Sequence, residues 1–328
     1  MKVAVFSTKP HDREAFEAAT SDHEFHFFEN RLRCETASLA RDCEAVCVFV
    51  NDDLNRDTIR ALAKEGVSLV TLRCAGFNNV DLAAAADHGL RVMRVPEYSP
   101  YAVAEYCLGL LLAANRHIHK AYSRVRESNF ELKGLLGFDL HGKTVGVIGT
   151  GRIGVIFCKL LSGFGVKILA SDPNENEQAI QAGATYVPLD QLLAESHVIT
   201  LHCPLTPDTR HLIDDDALAQ CRDGVLIVNT SRGGLVDTAA VIRSLKSGKI
   251  GGLALDVYEE ESGIFFENLS DVVIDDDLLM RLTTFPNVLV TSHQAFFTGE
   301  ALTNITSVTL ENLDAHERGE GNPATEVK

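Results

Sequence analysis

Three short segments place an arginine, a glutamate and a histidine at the ends of candidate strands. They are Val228-Asn229-Thr230-Ser231-Arg232-Gly233-Gly234, Leu255-Asp256-Val257-Tyr258-Glu259-Glu260-Glu261 and Val290-Thr291-Ser292-His293-Gln294-Ala295-Phe296-Phe297. An arginine offers a planar fork that grips a carboxylate through two parallel hydrogen bonds. A histidine gives or takes a proton at a carbonyl oxygen near neutral pH. A carboxylate beside it orients the ring and stabilises the imidazolium. Singly, each residue has a plainer reading: Arg232 as a surface arginine, Glu261 as one of an acidic run, His293 as one of twelve histidines. Together they are the set required for chemistry at a carbonyl that carries a neighbouring carboxylate. Glu259 and Glu260 leave open which acid pairs with the histidine.

A second pattern carries phosphate chemistry. Val145-Gly146-Val147-Ile148 runs into Gly149-Thr150-Gly151-Arg152-Ile153-Gly154 and then the helical run Val155-Ile156-Phe157-Cys158-Lys159-Leu160-Leu161. A lone G-x-G-x-x-G is weak; between a strand and a helix it reads as a dinucleotide cradle. Gly149 permits the turn, Gly151 lets the backbone approach a pyrophosphate, and Gly154 lets helix and strand pack closely. The helix start supplies N–H groups and a partial positive charge. The next strand ends in Asp172, where a carboxylate accepts from ribose hydroxyls and repels a 2′-phosphate, which predicts NAD over NADP. The plainer reading of Asp172 is a turn cap before Pro173.

These residues must be positioned by a parallel sheet. Strands are expected at Lys2–Phe6, Ala45–Val50, Leu69–Arg73 and Arg91–Val95, then from Thr144–Ile148 through Lys167–Ser171, Val198–His202, Val225–Asn229, Leu253–Val257 and Val288–Thr291, alternating with helical stretches. That alternation predicts an α/β chain. One long helix is expected from Ala102 to about Glu127, followed by a polar segment, Ser128–His141, and a last helix over Gly299–Arg318. Cutting the chain at its midpoint would sever the Gly149–Asp172 unit. The expected domains are therefore 1–98 plus 297–328, binding substrate, and 99–296, binding NAD, with hinges near Tyr98 and Phe296.

The chain has 328 residues with 30 Lys+Arg and 46 Asp+Glu, a formal charge of −16. That balance argues against a sequence-independent nucleic-acid binder and against docking on an anionic membrane. The apolar run Cys107–Ala114 is far short of the roughly 20 residues a membrane span needs. The eight cysteines form no Cys-x-x-Cys. His117 and His119 are two apart and face different sides of a helix, so no metal site is expected. The reading is a cytoplasmic protein with free thiols.

With these motifs in hand, the sequence resembles the D-isomer-specific 2-hydroxyacid dehydrogenase family over essentially its whole length. Leu72-Arg73-Cys74-Ala75-Gly76-Phe77-Asn78-Asn79-Val80-Asp81 matches the family's substrate loop and Val95-Pro96-Glu97-Tyr98-Ser99-Pro100 its first hinge. The glycine motif and the three polar segments follow in family order. The spacings, 29 residues from Arg232 to Glu261 and 32 onward to His293, fit its bacterial fermentative branch, which reduces pyruvate to D-lactate. The resemblance implies two Rossmann-like doubly wound parallel-sheet domains separated by an active-site cleft. It implies Arg232 as carboxylate binder, Glu261 as the histidine's partner and His293 as general acid. Ala75 and Gly76 would add backbone N–H groups, with Tyr98 lining the pocket and Phe49 and Phe296 completing an aromatic wall. On the cofactor side it implies Gly149, Gly151, Arg152, Ile153, Gly154, Asp172, Cys203, Pro204, Thr209, Thr230, Ser231 and Asp256, the last meeting the nicotinamide amide. A small 2-oxo or 2-hydroxy acid and NAD are the implied ligands, and a homodimer or homotetramer the implied assembly. Weighed against this are a preference for a longer 2-oxo acid and a non-catalytic NAD-sensing corepressor.

Overall fold

Strand formation follows β-branched and aliphatic runs that the chain buries on both faces. The computed structural model describes residues 1–327, and along them run thirteen strands. These are β1 (Lys2–Val5), β2 (Glu24–Phe27), β3 (Ala45–Val48), β4 (Leu69–Leu72), β5 (Arg91–Arg94), β6 (Thr144–Ile148), β7 (Lys167–Ser171), β8 (Ala184–Tyr186), β9 (Val198–Leu201), β10 (Val225–Asn229), β11 (Ile250–Leu255), β12 (Val288–Val290) and β13 (Glu326–Val327). They divide between two units, Met1–Ser99 with Phe297–Lys328 and Pro100–Phe296.

The first unit holds a six-stranded sheet in the order β13-β5-β4-β3-β1-β2. All its pairings are parallel except β13 against β5. Its two faces bury alternate residues of the same strands. Ala4, Phe6, Val46, Val48, Val70 and Leu72 enter one core, and Val3, Val5, Ala45, Cys47 and Leu69 the other, where Leu313 of the last helix packs. That alternation is the period-two geometry of a strand covered on both sides.

The second unit holds seven parallel strands in the order β12-β11-β10-β9-β6-β7-β8. Ile148, Leu169, Ile199, Leu201, Ile227 and Leu255 fill one face, and Val145, Val147, Ile168, Val198, Val228 and Ala254 the other. The order reverses at β6, which pairs with β7 on one side and β9 on the other. Ligands of open parallel sheets bind outside the strand C-termini at such a reversal.

Two expectations need correction. The long helix is two helices, Pro100–Asn115 and Ile118–Arg126, broken at His117, whose φ of 51° lies in the left-handed region. The Asn115 side chain donates to the Phe138 carbonyl at 2.7 Å and accepts from the Phe138 N–H at 3.0 Å, so a distant segment is seated against the break. Three strands were not anticipated: β2, β8 and β13. Each is an outer strand of its sheet, half exposed, and a short run exposed on one side carries little hydrophobic pattern.

Candidate active site

The glycine turn follows β6 at the point where the sheet order reverses. Gly149 has φ +91°, and a Cβ there would lie 2.5 Å from the Cys203 nitrogen. A Cβ on Gly154 would lie 2.1 Å from the Gly149 carbonyl oxygen, so helix Arg152–Leu161 sits against the turn only because that side chain is missing. Gly151 differs: a Cβ would meet no protein atom within 4 Å. It is the N-cap of the helix, and no side chain caps it. The start of such a helix presents N–H groups and a partial positive charge, here at Arg152 and Ile153. Open space above the helix start fits the pyrophosphate of a dinucleotide.

Asp172, just past β7, accepts from the Thr150 N–H at 2.7 Å and the Asn174 N–H at 2.8 Å, which fixes its carboxylate beside the turn. Tyr186, which sequence reasoning passed over, donates to Thr150 Oγ1 at 2.7 Å and accepts from the Asn176 N–H at 2.7 Å. Across the reversal, Ser231 Oγ donates to the Cys203 carbonyl and Thr209 Oγ1 to the Pro204 carbonyl, both at 2.7 Å. Burial pushes the Cys203 thiol up to about 11, so it is a core thiol and not a nucleophile. Thr230 is buried directly after β10.

β10, β11 and β12 are neighbours, with Asn229 opposite Leu255 and Leu255 opposite Val290. Their C-terminal ends carry the three polar segments. His293 Nδ1 lies 2.8 Å from Glu261 Oε1, and Glu261 Oε2 accepts from the Tyr258 N–H at 3.2 Å. A proton on Nδ1 directed at the carboxylate leaves Nε2 for exchange with a substrate, a tautomer inferred from the bonding. His293 has φ +55°, a conformation that costs a non-glycine residue energy and must be held by its surroundings. The holding group is Asp256, fully buried. Its backbone carbonyl accepts from the His293 N–H at 2.7 Å. Its carboxylate takes Thr291 Oγ1 at 2.6 Å and the N–H groups of Gln294 at 3.0 Å and Ala295 at 2.8 Å. Asp256 therefore anchors the histidine loop, a job not legible in the residues around it, beside its expected cofactor contact.

The acid ambiguity is settled by geometry. Glu259 is bonded to His211 and Thr238, Glu260 is exposed, and only Glu261 meets His293. Arg232 is half-buried, bonds the neighbouring Ser231 carbonyl at 2.8 Å, and makes no ion pair with a carboxylate among the described residues. A guanidinium without an acid partner in so acidic a chain is suited to an external anion.

In the first unit, Ala75 and Gly76 follow β4 in a half-buried loop. Arg94 donates to the Ala75 carbonyl at 2.5 Å and lies 5.0 Å over the Phe77 ring. Phe49 follows β3; its N–H donates to Asp52 at 2.6 Å, and its ring lies 5.1 Å under the Arg73 guanidinium. Arg73 is almost wholly buried, paired with Asp12 at 3.2 Å, and donates to the Ser7 carbonyl at 2.8 Å. Tyr98 and Phe296 are half-buried at the two ends of the crossings, and the Tyr98 carbonyl accepts from Asn304 at 2.7 Å.

Residues 108–295 match the model of the D-isomer specific 2-hydroxyacid dehydrogenase NAD binding domain. The chain is 52% identical to a D-lactate dehydrogenase of Escherichia coli over 325 residues, covering 98% of this chain and 99% of that protein. It is 53% identical to a 2-hydroxyacid dehydrogenase homolog of Schizosaccharomyces pombe over 331 residues, all of both chains. The apo-structure of the Escherichia coli D-lactate dehydrogenase superposes with a TM-score of 0.92 at 49% identity, covering all of each chain.

Proposed function

The chain belongs to the D-isomer specific 2-hydroxyacid dehydrogenase family, NAD-dependent enzymes, and from that premise we propose that it interconverts pyruvate and D-lactate. The observation that carries the reading is the His293–Glu261 pair at 2.8 Å, with Arg232 following the strand next to that of Glu261 and making no ion pair with a carboxylate among the described residues. NAD, when bound, supplies or accepts the hydride. Arg232 binds the substrate carboxylate and helps polarise the carbonyl oxygen as negative charge develops there. His293 donates a proton from Nε2 to that oxygen in reduction and takes it back in oxidation. Glu261 holds the ring through Nδ1 and balances the imidazolium charge. Ala75 and Gly76 contribute backbone N–H groups, and Tyr98, Phe49 and Phe296 an aromatic wall that favours a methyl group at C3.

The cofactor residues are proposed on the same footing. The N–H groups of Arg152 and Ile153 meet the pyrophosphate, Asp172 the adenosine ribose, and Cys203, Pro204, Thr209, Thr230 and Ser231 line the remainder. Asp256 meets the nicotinamide amide through the acceptor capacity left beside its three bonds.

Assembly as a homodimer is proposed from an apolar surface of the second unit. Ile118, Tyr122 and Val125 are exposed on helix Ile118–Arg126, and Phe130, Leu132 and Leu136 in the segment after it, Leu136 by 91%. Six large apolar side chains exposed along one stretch of chain are characteristic of an interaction face. No helix among the described residues is long and apolar enough to cross a membrane. All eight cysteines are free, which supports a reducing, cytoplasmic setting.

The test is kcat/KM across a series of 2-oxo acids with NADH, with chiral analysis of the product. Pyruvate should lead and the product should be D-lactate; a larger value for phenylpyruvate would reject the substrate. His293→Ala should lose about a thousandfold in kcat while NADH binding stays near wild type, the middle of the range for a positioned acid. Near-wild-type turnover there would reject the acid assignment.

A further inference from the structure

Glu259 has no part in the chemistry above, yet it is the most heavily bonded of three consecutive acids. One carboxylate oxygen meets His211 Nε2 in a short contact and Arg210 at 3.4 Å; the other accepts from Thr238 Oγ1 at 3.2 Å. His211 holds a left-handed backbone, φ +53°, and its N–H donates to the Gly234 carbonyl at 2.8 Å. Between these anchors lies Arg232-Gly233-Gly234. The Tyr258 carbonyl presses on Gly233 so closely that a Cβ there would lie 2.0 Å from it. The Arg232 carbonyl accepts from Asn229 Nδ2 at 2.8 Å, and its guanidinium donates to the adjoining Ser231 carbonyl at 2.8 Å.

These contacts form a closed ring. It passes from Glu259 to Tyr258, across Gly233 to Gly234, to His211, and back to Glu259 through the side chains. We propose that Glu259 is a positioning residue for Arg232: bonding His211, it clamps the Tyr258 carbonyl onto Gly233 and so sets where the guanidinium stands. The proposal rests on the reading of Arg232 as the carboxylate binder. Opening the clamp frees the glycine pair, and the guanidinium loses its fixed origin. The His293 loop, tied outside this ring through Asp256, keeps its geometry. Loss of Glu259 therefore weakens substrate binding more than proton transfer.

The experiment uses the full chain and compares Glu259→Ala, Glu259→Gln and Arg232→Lys for KM of pyruvate, kcat, NADH affinity and thermal midpoint. Glu259→Ala should raise KM at least about tenfold with kcat within about threefold, the signature of lost binding rather than lost transition-state chemistry. Glu259→Gln, which keeps the shape and a hydrogen bond to Thr238, should raise KM about threefold by the same reasoning. Arg232→Lys should raise KM strongly, because a point charge does not reproduce the fork. A lowered melting point with unchanged KM in either Glu259 variant would make the residue purely structural and overturn the proposal. So would a large fall in kcat at unchanged KM. Should Glu259→Ala fail to fold, Glu259→Gln decides by the same criteria. If Arg232→Lys keeps the wild-type KM, the carboxylate reading and the proposal fall together. If it raises KM while the Glu259 variants do not, only the positioning role falls.

Discussion

Two alanine substitutions three residues apart, Gly151→Ala and Gly154→Ala, should separate cofactor binding from stability. At Gly151 the new methyl meets no protein atom within 4 Å, and the residue sits at φ −65°, open to any L-residue. The stability cost is then only that of alanine at a helix N-cap, about 1 kcal/mol. If the pyrophosphate occupies that open space, the methyl stands between it and the N–H groups of the helix start. NADH affinity should fall at least about tenfold, the loss of roughly one good hydrogen bond to a charged group. At Gly154 the methyl would lie 2.1 Å from the Gly149 carbonyl oxygen, so backbone must move by more than an ångström. Overpacking of this kind costs about 1–3 kcal/mol, or about 2–12 °C in melting point for a unit of this size. The assays are thermal unfolding without cofactor and titration of NADH fluorescence. The expected pattern is Gly151→Ala melting close to wild type but binding NADH poorly, and Gly154→Ala melting early. Wild-type NADH affinity in Gly151→Ala would refute the cradle. A wild-type melting point in Gly154→Ala would refute the claim that the missing side chain sets the packing.

Acid should weaken the second unit through His202, whose ring lies 4.9 Å from Phe157 and which burial pushes down to about 3. Its neutral form favours folding above pH 6.5, and that contribution is lost as pH falls toward 3. At pH 4.5 the full linkage value is about 3 kcal/mol, reduced to about 2 by the surface the residue keeps accessible. Urea unfolding at pH 7 and 4.5 should show His202→Gln losing less stability on acidification than wild type; equal losses would remove His202 as the cause. If the chain assembles through the face proposed above, Leu132→Asp with Leu136→Asp should lower its sedimentation coefficient to that of a monomer in analytical ultracentrifugation, since two exposed apolar side chains would carry charge into a desolvated face. An unchanged sedimentation coefficient would place the interface elsewhere.

Some of this protein is written residue by residue. Gly149 and Gly154 state a local requirement: a left-handed turn at one, and backbone contact with no room for a Cβ at the other. Asp172, one strand further on, completes a unit that needs no distant partner. Fold class was legible for a similar reason, because strands buried on both faces repeat the same aliphatic run. The rest depended on segments brought together from far apart. Three adjacent glutamates are chemically alike. Which one meets His293 is decided because His211, 48 residues away in sequence, captures Glu259, leaving Glu261 in reach of the ring. Asp256 carries, beside the cofactor contact expected of it, a structural load that appears only when the fold turns Gln294 and Ala295 back onto it. Arg73 reads as a strand-end arginine, yet the sheet buries it between Asp12 and Phe49. Asn115 lies in an unbroken helical pattern, and the helix stops there because Phe138 bonds both ends of its side chain. Sequence alone determined the features that one backbone position can specify by its residue type. Tertiary structure decided the pairings, because an ionic or polar side chain takes whichever partner the fold presents, and that partner is not its neighbour in the chain.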